Sequence, residues 1–397
     1  MTVYETLGVA ILINAKGAAT RLSGGIMHPE VSAAMVEASK HCVDMAELQA
    51  AASREIAKAT GAEAGYVASG ASACLLLAAA ACMAGLDPGR MARLPDRRGL
   101  KNEIIMVRSQ RNFYDHAVRA AGATIVEVGL PDRYSGAGVR DAENWEIEDA
   151  ITERTAAIFY VASAVAQPSL KTVTAIGRKH KIPVIVDGAA QLPPQSNLKR
   201  FIAEGADLVA YSGGKVLGGP QASGMLCGRK DLIMSAALQN LDLDIYDDMW
   251  DPPKSLIDKR KLKGTPQTGI GRSCKVGKEE VVGLLTALRI FIAEGDAVRH
   301  TRWLERLQPI AEALSSSKQC RIEIENADDK GAVPQLVITL TKPNASAPAM
   351  IDKLIKGSPS IHVDPARRDQ GKLVVNPLCF EKSQAPLIAK RLLSAIG

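Results

Sequence analysis

Ala210-Tyr211-Ser212-Gly213-Gly214-Lys215-Val216-Leu217-Gly218-Gly219-Pro220-Gln221 sets one lysine between two glycine pairs, directly after an apolar run that ends at Ala210. Glycine lets the backbone turn tightly, so the spacing predicts a lysine that leaves a strand end and enters a crowded site. A desolvated amine holds its proton less tightly and becomes a nucleophile, the property a Schiff-base lysine needs. A surface lysine in a turn has the same local sequence, so the stretch needs a second observation beside it.

That observation lies 28 residues upstream, in Ile182-Pro183-Val184-Ile185-Val186-Asp187-Gly188-Ala189-Ala190-Gln191. A short unbroken apolar run suits a strand covered on both faces, and this one delivers a carboxylate at its C-terminal end. A carboxylate in that position can keep the pyridine nitrogen of pyridoxal phosphate protonated, which makes the ring an electron sink. The small residues that follow, Ala189 among them, can lie against a flat ring. Asp187 alone would pass as a turn residue; the pair at this spacing is far more specific.

The surrounding chain supplies a scaffold for such a pair. Apolar runs at 104–107, 124–128, 157–161, 184–186, 208–211 and 224–227 alternate with helical stretches, a pitch that means βα units and a mostly parallel sheet. Ligands bind beyond the carboxyl ends of such strands, where Asp187 and Lys215 fall. The segment 231–270 changes character; its acidic, aromatic part at 241–253 has no Ca²⁺-loop spacing and suits a solvated loop or lid. Helix returns from 278 to about 315, with Leu284, Leu285, Leu288 and Phe291 on one stripe. Short strands at 321–324, 336–341 and 373–375 then indicate a small α+β unit. The expected division is an N-terminal segment at 1–45, a large cofactor-binding domain at 46–275 and a small domain at 276–397.

Bulk properties exclude several classes. The 397 residues, 47% hydrophobic, exceed one ordinary core. A net charge of +6 is compatible with anionic small molecules and too dispersed for a nucleic-acid surface. The seven cysteines are scattered without metal-ligand spacing, so no metal site is expected and reduced thiols in the cytoplasm are. No secretory leader is evident, and the apolar run at 71–84 is too short to span a bilayer.

Further parts complete the expected site. In Tyr66-Val67-Ala68-Ser69-Gly70-Ala71-Ser72-Ala73-Cys74 a short strand runs through small residues into a helix. The free N–H groups and dipole of a helix start favour a phosphate, which makes Ser69, Gly70, Ala71 and Ser72 its cradle. Ser212 is a further hydroxyl for the same group. Gln110 is the first choice to cover the outer ring face, with His116 behind it; neighbouring Phe113 and Tyr114 suit core positions equally well. Arg21 and Arg272 sit in glycine-rich loops, and with Arg367 they are expected to hold an anionic substrate through their planar forks. Arg108, Arg111 and Arg368 are further candidates.

With these residues together, the chain resembles the fold-type I pyridoxal-phosphate enzymes, and within them the selenocysteine synthase (seryl-tRNA selenium transferase) family. The matching stretches are Ile13-Asn14-Ala15-Lys16-Gly17, the stretch from Ser212 to Gln221, and Gly271-Arg272-Ser273-Cys274-Lys275-Val276-Gly277-Lys278-Glu279-Glu280. The resemblance implies an aspartate aminotransferase-like α/β large domain with a small α+β C-terminal domain. It also implies pyridoxal 5'-phosphate as cofactor and homodimers or larger assemblies. The chain looks closer to the short metabolic members, such as D-glucosaminate-6-phosphate ammonia-lyase, than to those with a tRNA-binding domain, so tRNA is not the expected partner. The expected activity is α,β-elimination on a hydroxylated, optionally phosphorylated amino acid to give a 2-keto acid and ammonia, with Lys215 and Asp187 catalytic. A seryl-tRNA selenium transferase, a racemase or aldolase, and a catalytically silent regulatory subunit remain the alternatives.

Overall fold

The structure is a computed structural model that describes residues 2–130, 141–341 and 346–397. Its chain folds as two compact units. The larger holds His28–Leu192 and Ser196–Arg289, and the smaller holds Met1–Met27, Pro193–Gln195 and Ile290–Gly397. The first 27 residues thus belong with the C-terminal part, and the border falls at residue 289 where the sequence suggested 275. A strand pairing explains the first difference: β1 (Ile13–Ala15) lies parallel to β11 (Ile361–Val363), with Asn14 opposite His362.

The larger unit is built on β2 (Ala64–Ala68), β3 (Glu103–Val107), β4 (Thr124–Val128), β5 (Thr155–Val161), β6 (Val184–Asp187), β7 (Leu208–Ser212) and β8 (Gly224–Gly228). They form one sheet in the order β2-β8-β7-β6-β5-β3-β4. β8 is antiparallel to both its neighbours and every other pairing is parallel, so β2 runs with the parallel set. The expected runs appear within two residues of their ends, because strands buried on both faces read as unbroken apolar sequence. β3 and β6 are buried at every position, whereas edge strand β4 is exposed at Thr124 and Glu127.

The helix Ala71–Ala84 covers the sheet and touches β5, β6, β7 and β8. Its sequence is apolar all round, as a helix buried on every side requires. Its many alanines keep it close to the strands, and Leu75, Leu77 and Met83 fill the core between them. Each of these large side chains contributes about 1.5–3 kcal/mol by leaving water. The helix Lys230–Gln239 occupies the start of the segment whose sequence changes character at 231. It is buried from Leu232 to Gln239, so its sequence shows no polar face to mark it as helical.

Edge strand β2 is fastened from the side by the helix Met45–Thr60. Gln49 donates to the Val67 carbonyl at 2.8 Å and accepts from the Val67 amide at 3.0 Å, and Ser53 accepts from the Gly65 amide at 3.0 Å. These bonds use backbone groups that an open edge would leave unpaired.

The smaller unit packs an antiparallel sheet of β9 (Cys320–Glu325), β10 (Gln335–Leu340) and β12 (Lys372–Val375), in the order β12-β10-β9, beside the β1–β11 pair. The long helix Lys278–Leu314 is two helices meeting at Gly295, whose φ of 71° favours glycine.

Registers in the large sheet place Ala68, Gly224 and Ser212 in one row. A Cβ on Gly224 would come within 2.4 Å of the Gly70 carbonyl carbon and 2.6 Å of the Ala71 nitrogen, both backbone atoms. Gly224→Ala therefore displaces the start of the helix Ala71–Ala84. The expected loss is about 1–3 kcal/mol of unfolding free energy, read from urea denaturation; an unchanged midpoint would contradict this close approach.

Candidate active site

Because all strands but β8 run one way, the segments that leave β2, β3, β6 and β7 emerge at one edge of the sheet. Ser69 to Ser72 follow β2, Gln110 follows β3, Asp187 ends β6, and Ser212 to Lys215 leave β7. The sheet thus brings together the cofactor residues expected from the sequence.

Asp187 is only 8% exposed. Its Oδ1 accepts from the Ala189 amide at 3.0 Å, which turns the chain sharply after the strand. Burial raises the Asp187 pKa above its ordinary value, because the charged form loses water. The Ala189 amide and the positive charge of Lys215 pull it the other way. Lys215 lies on the adjacent segment, half-buried, and its ammonium makes no hydrogen bond or ion pair among the described residues.

The glycines around Lys215 act chiefly through space rather than dihedral freedom. Of the four, Gly218 alone has a positive φ, at 72°, where the Gly218 amide closes a turn onto the Lys215 carbonyl at 3.0 Å. At Gly214 a Cβ would stand 2.7 Å from the Gln221 Cα. The Gly–Gly before the lysine and the Pro–Gln after it are therefore two sides of one tight contact.

The helix Ala71–Ala84 begins at Gly70 with φ 130° and without a side-chain cap. Its first amides are thus left for another acceptor, in the region where a helix dipole favours an anion. Ser69 anchors the segment by donating its amide to the Cys274 carbonyl at 3.4 Å. Small residues, an uncapped helix of this length, a buried carboxylate and an uncommitted amine together fit a phosphorylated aromatic cofactor.

The other expected residues fare differently. Gln110 is buried, but its amide is committed: Oε1 accepts from the Val161 amide at 2.9 Å and Nε2 donates to the Gln167 carbonyl at 3.3 Å. Only the flat face of that amide is left to meet a ring. His116 is exposed, with Nδ1 2.9 Å from the Phe113 carbonyl. Phe113 and Tyr114, for which the sequence leaves a core position equally open, are 90% and 61% exposed and so are not core.

Most of the arginines expected to be free are paired. Arg272 meets Asp242 at 2.7 Å, Arg108 meets Glu127 at 3.0 Å and Arg367 meets Glu325 at 2.8 Å. Arg111 bonds Asp115 at 2.6 Å and also reaches Glu127, while Arg368 lies 3.5 Å from Asp369. Arg21 is exposed and pairs with no carboxylate among the described residues. Arg21 and Arg367 belong to the smaller unit and Arg272 to the larger. Arg272 and Asp242 line a cleft of about 680 Å³ with Tyr66, Asn240, Trp250 and Lys275, apart from Asp187 and Lys215. Among the described residues no group of His, Cys, Asp or Glu is arranged to hold a metal ion.

Sequence inspection missed Gln49 and Ser53, the side chains that hold β2 and hence the Ser69–Gly70 turn. The signal was available: two small or amide side chains on the buried stripe of an otherwise amphipathic helix.

The architecture is that of the fold-type I, aminotransferase-like pyridoxal-phosphate enzymes. Within that class, the model of the L-seryl-tRNA selenium transferase family matches residues 12–244, and the chain belongs to this family. A 5'-C-glycyluridine monooxygenase-decarboxylase from a Streptomyces species is 32% identical over 98% of this chain and 90% of its own length. A D-glucosaminate-6-phosphate ammonia lyase from Salmonella typhimurium is 30% identical over 98% of this chain and 96% of its own. The solved structure of a D-glucosaminate-6-phosphate ammonia-lyase superposes with a TM-score of 0.81 at 29% identity, covering all of this chain and 98% of that one.

Burial has a measurable consequence at Asp187. Its raised pKa means that the folded chain holds the proton more tightly than the unfolded chain, whose value is near 3.8. The associated stability is present below that value and lost as pH rises through the raised one. In the cofactor-free protein Asp187→Asn should therefore melt higher at pH 7, by about 2–4 °C, and the difference should close on acidification. A lower melting point for the variant at pH 7 would contradict the burial argument.

Proposed function

We propose that this protein is a pyridoxal 5'-phosphate-dependent lyase that converts a 2-amino-3-hydroxy acid, such as D-glucosaminate 6-phosphate, to a 2-keto acid and ammonia. The observation that carries the reading is the pairing of buried Asp187 with uncommitted Lys215 on adjacent strand ends, beside an uncapped helix start. The end-to-end likeness to the ammonia lyases supports the reaction type.

Each residue has a chemical task. The amides of Ala71 and Ser72 at the uncapped helix start, with the Ser69 hydroxyl before Gly70 and the Ser212 hydroxyl before Lys215, would hold the cofactor phosphate. Asp187, desolvated and short of positive partners, holds a proton at the ring nitrogen as a charge-assisted hydrogen bond. Ala189 would lie against the ring as a small side chain, and Gln110 could present its amide face to it from the β3 side. When bound, the cofactor acts as an electron sink for the charge left at the substrate α-carbon. Lys215 would hold the cofactor through its side-chain amine, and the same amine could take the α-proton as general base. Loss of the β-hydroxyl as water, followed by addition of water at the α-carbon, releases ammonia and leaves the keto acid. Arg21, Arg272 and Arg367 are the candidates for holding the substrate's anionic groups. Two of them must first exchange the carboxylates they now hold.

The relatives matched along 98% of the chain are named for small-molecule chemistry, which supports a free amino acid over an aminoacyl-tRNA as substrate. The family resemblance supports a homodimer or larger homo-oligomer, and the scattered free thiols support a cytoplasmic site. Among the described residues no helix is long and apolar enough to cross a membrane.

The direct test is to incubate the cofactor-loaded protein with D-glucosaminate 6-phosphate and with other hydroxylated D- and L-amino acids, with and without a terminal phosphate. Ammonia and a 2-keto acid should appear in equal amounts, and Lys215→Ala should lower the rate by about two orders of magnitude or more. Oxygen consumption with release of carbon dioxide and no ammonia would overturn the lyase reading in favour of the Streptomyces relative's chemistry.

A further inference from the structure

The smaller unit holds a histidine that neither the fold nor the proposed reaction uses. His362 lies in the middle of β11, only 7% exposed, and stands beside Asn14 of β1 on one face of the two-stranded pair. Asn14 is fully committed. Its amide donates to the carbonyls of Gly17 at 3.1 Å and Gly24 at 2.8 Å, and its Oδ1 accepts from the Lys16 amide at 3.1 Å. These bonds fold the loop of residues 16–24 back over the face that His362 shares. Arg21 is carried by that loop, on the turn Thr20–Leu22.

The protonation of His362 follows from its neighbour. Ser360 donates its single hydroxyl proton to the Ile355 carbonyl at 2.6 Å, so at 3.0 Å from His362 Nε2 it can only accept. Nε2 therefore carries the proton. Burial, then the Arg21 charge, lower the His362 pKa and keep the ring neutral. Nδ1 is thus a bare acceptor, shielded from water and without a hydrogen-bond partner. Buried acceptors in native proteins are usually paired, and this one has no donor among the described residues.

Nearby charges do not compete for the same face. Lys16 pairs with Asp364 at 3.8 Å, and Arg367 is held by Glu325. Arg21 is the cation in this group with no carboxylate among the described residues. An anion would satisfy Arg21, and a hydroxyl next to that anion would satisfy Nδ1. An ammonium would satisfy only the histidine and would meet repulsion from Arg21.

We propose that Arg21 and His362 form a binding site for a hydroxy acid, with Arg21 taking the anionic group and His362 Nδ1 accepting from an adjacent hydroxyl. The site rests on the lyase reading only for the expectation that the substrate is such a compound. His362 is a specificity residue in this account, not a catalytic one.

The test uses ligands without an amine, which cannot turn over, and reads binding to the cofactor-loaded protein by calorimetry. D-gluconate against hexanoate probes a carboxylate with and without hydroxyls, and glycerol 3-phosphate against propyl phosphate does the same for a phosphate. The wild type should prefer the hydroxylated member of at least one pair by about three- to tenfold. His362→Gln keeps a donor for Ser360 but removes the Nδ1 acceptor, and should erase the preference. His362→Asn places an oxygen near the Nδ1 position and should restore part of it. Arg21→Gln, an exposed substitution that leaves the fold intact, should weaken both members of the preferred pair about equally. Retention of the preference in His362→Gln, unchanged binding in Arg21→Gln, or binding of no probe by the wild type would each overturn the site. Binding as expected from a protein that releases no ammonia would sustain the site and remove the lyase reading.

Discussion

The constraint on which the large unit turns is a carboxylate placed where water cannot solvate it. Asp187 closes a strand whose every residue is buried, and burial makes its charge unfavourable. Nearby compensation is slight: one amide from Ala189 and the positive charge of Lys215 from the neighbouring segment. A cationic ring nitrogen, as proposed for the bound cofactor, would supply what is missing. On the proposed reading, this apparent defect in stability is what would recruit the cofactor, with strain at a functional site offset when the ligand arrives.

The remaining parts of the large unit position that carboxylate and its partner. Gln49 and Ser53 hold edge strand β2 so that Ser69 and Gly70 enter the helix at the right place. Gly224 lets the helix start lie directly on β8, and Gly214 lets Pro220 and Gln221 fold over the lysine turn. Loss of any one of these contacts moves a backbone segment rather than a side chain, which is why the glycines are needed for space more than for unusual dihedrals.

Much of this was legible in the sequence, for one physical reason. Parallel strands covered on both faces must be continuously apolar, so β3, β5, β6 and β7 stand out, and candidate site residues fall at or just after the ends of β3, β6 and β7. Features set by partners distant in the chain were not legible. Arg272 and Asp242 are paired across a cleft, and Arg367 and Glu325 join different segments of the smaller unit; no local pattern distinguishes such arginines from free ones. β1 and β11, three residues each, pair across almost the whole sequence, so the attachment of the N-terminal segment could not be inferred. The helix Lys230–Gln239 was missed because a helix buried all round has no periodic polar face. Apolarity alone left Phe113 and Tyr114 open between core and surface, because apolar residues are not confined to the interior.

Every role proposed for the large unit depends on Lys215 being the residue that holds the cofactor. Borohydride reduction of the cofactor-loaded protein, followed by proteolysis and mass spectrometry of the peptides, reads this directly. The expected result is one cofactor-sized mass addition per chain on the peptide containing Lys215, absent from Lys215→Ala. Attachment to a different lysine, or no attachment to a protein that has bound the cofactor, would contradict it.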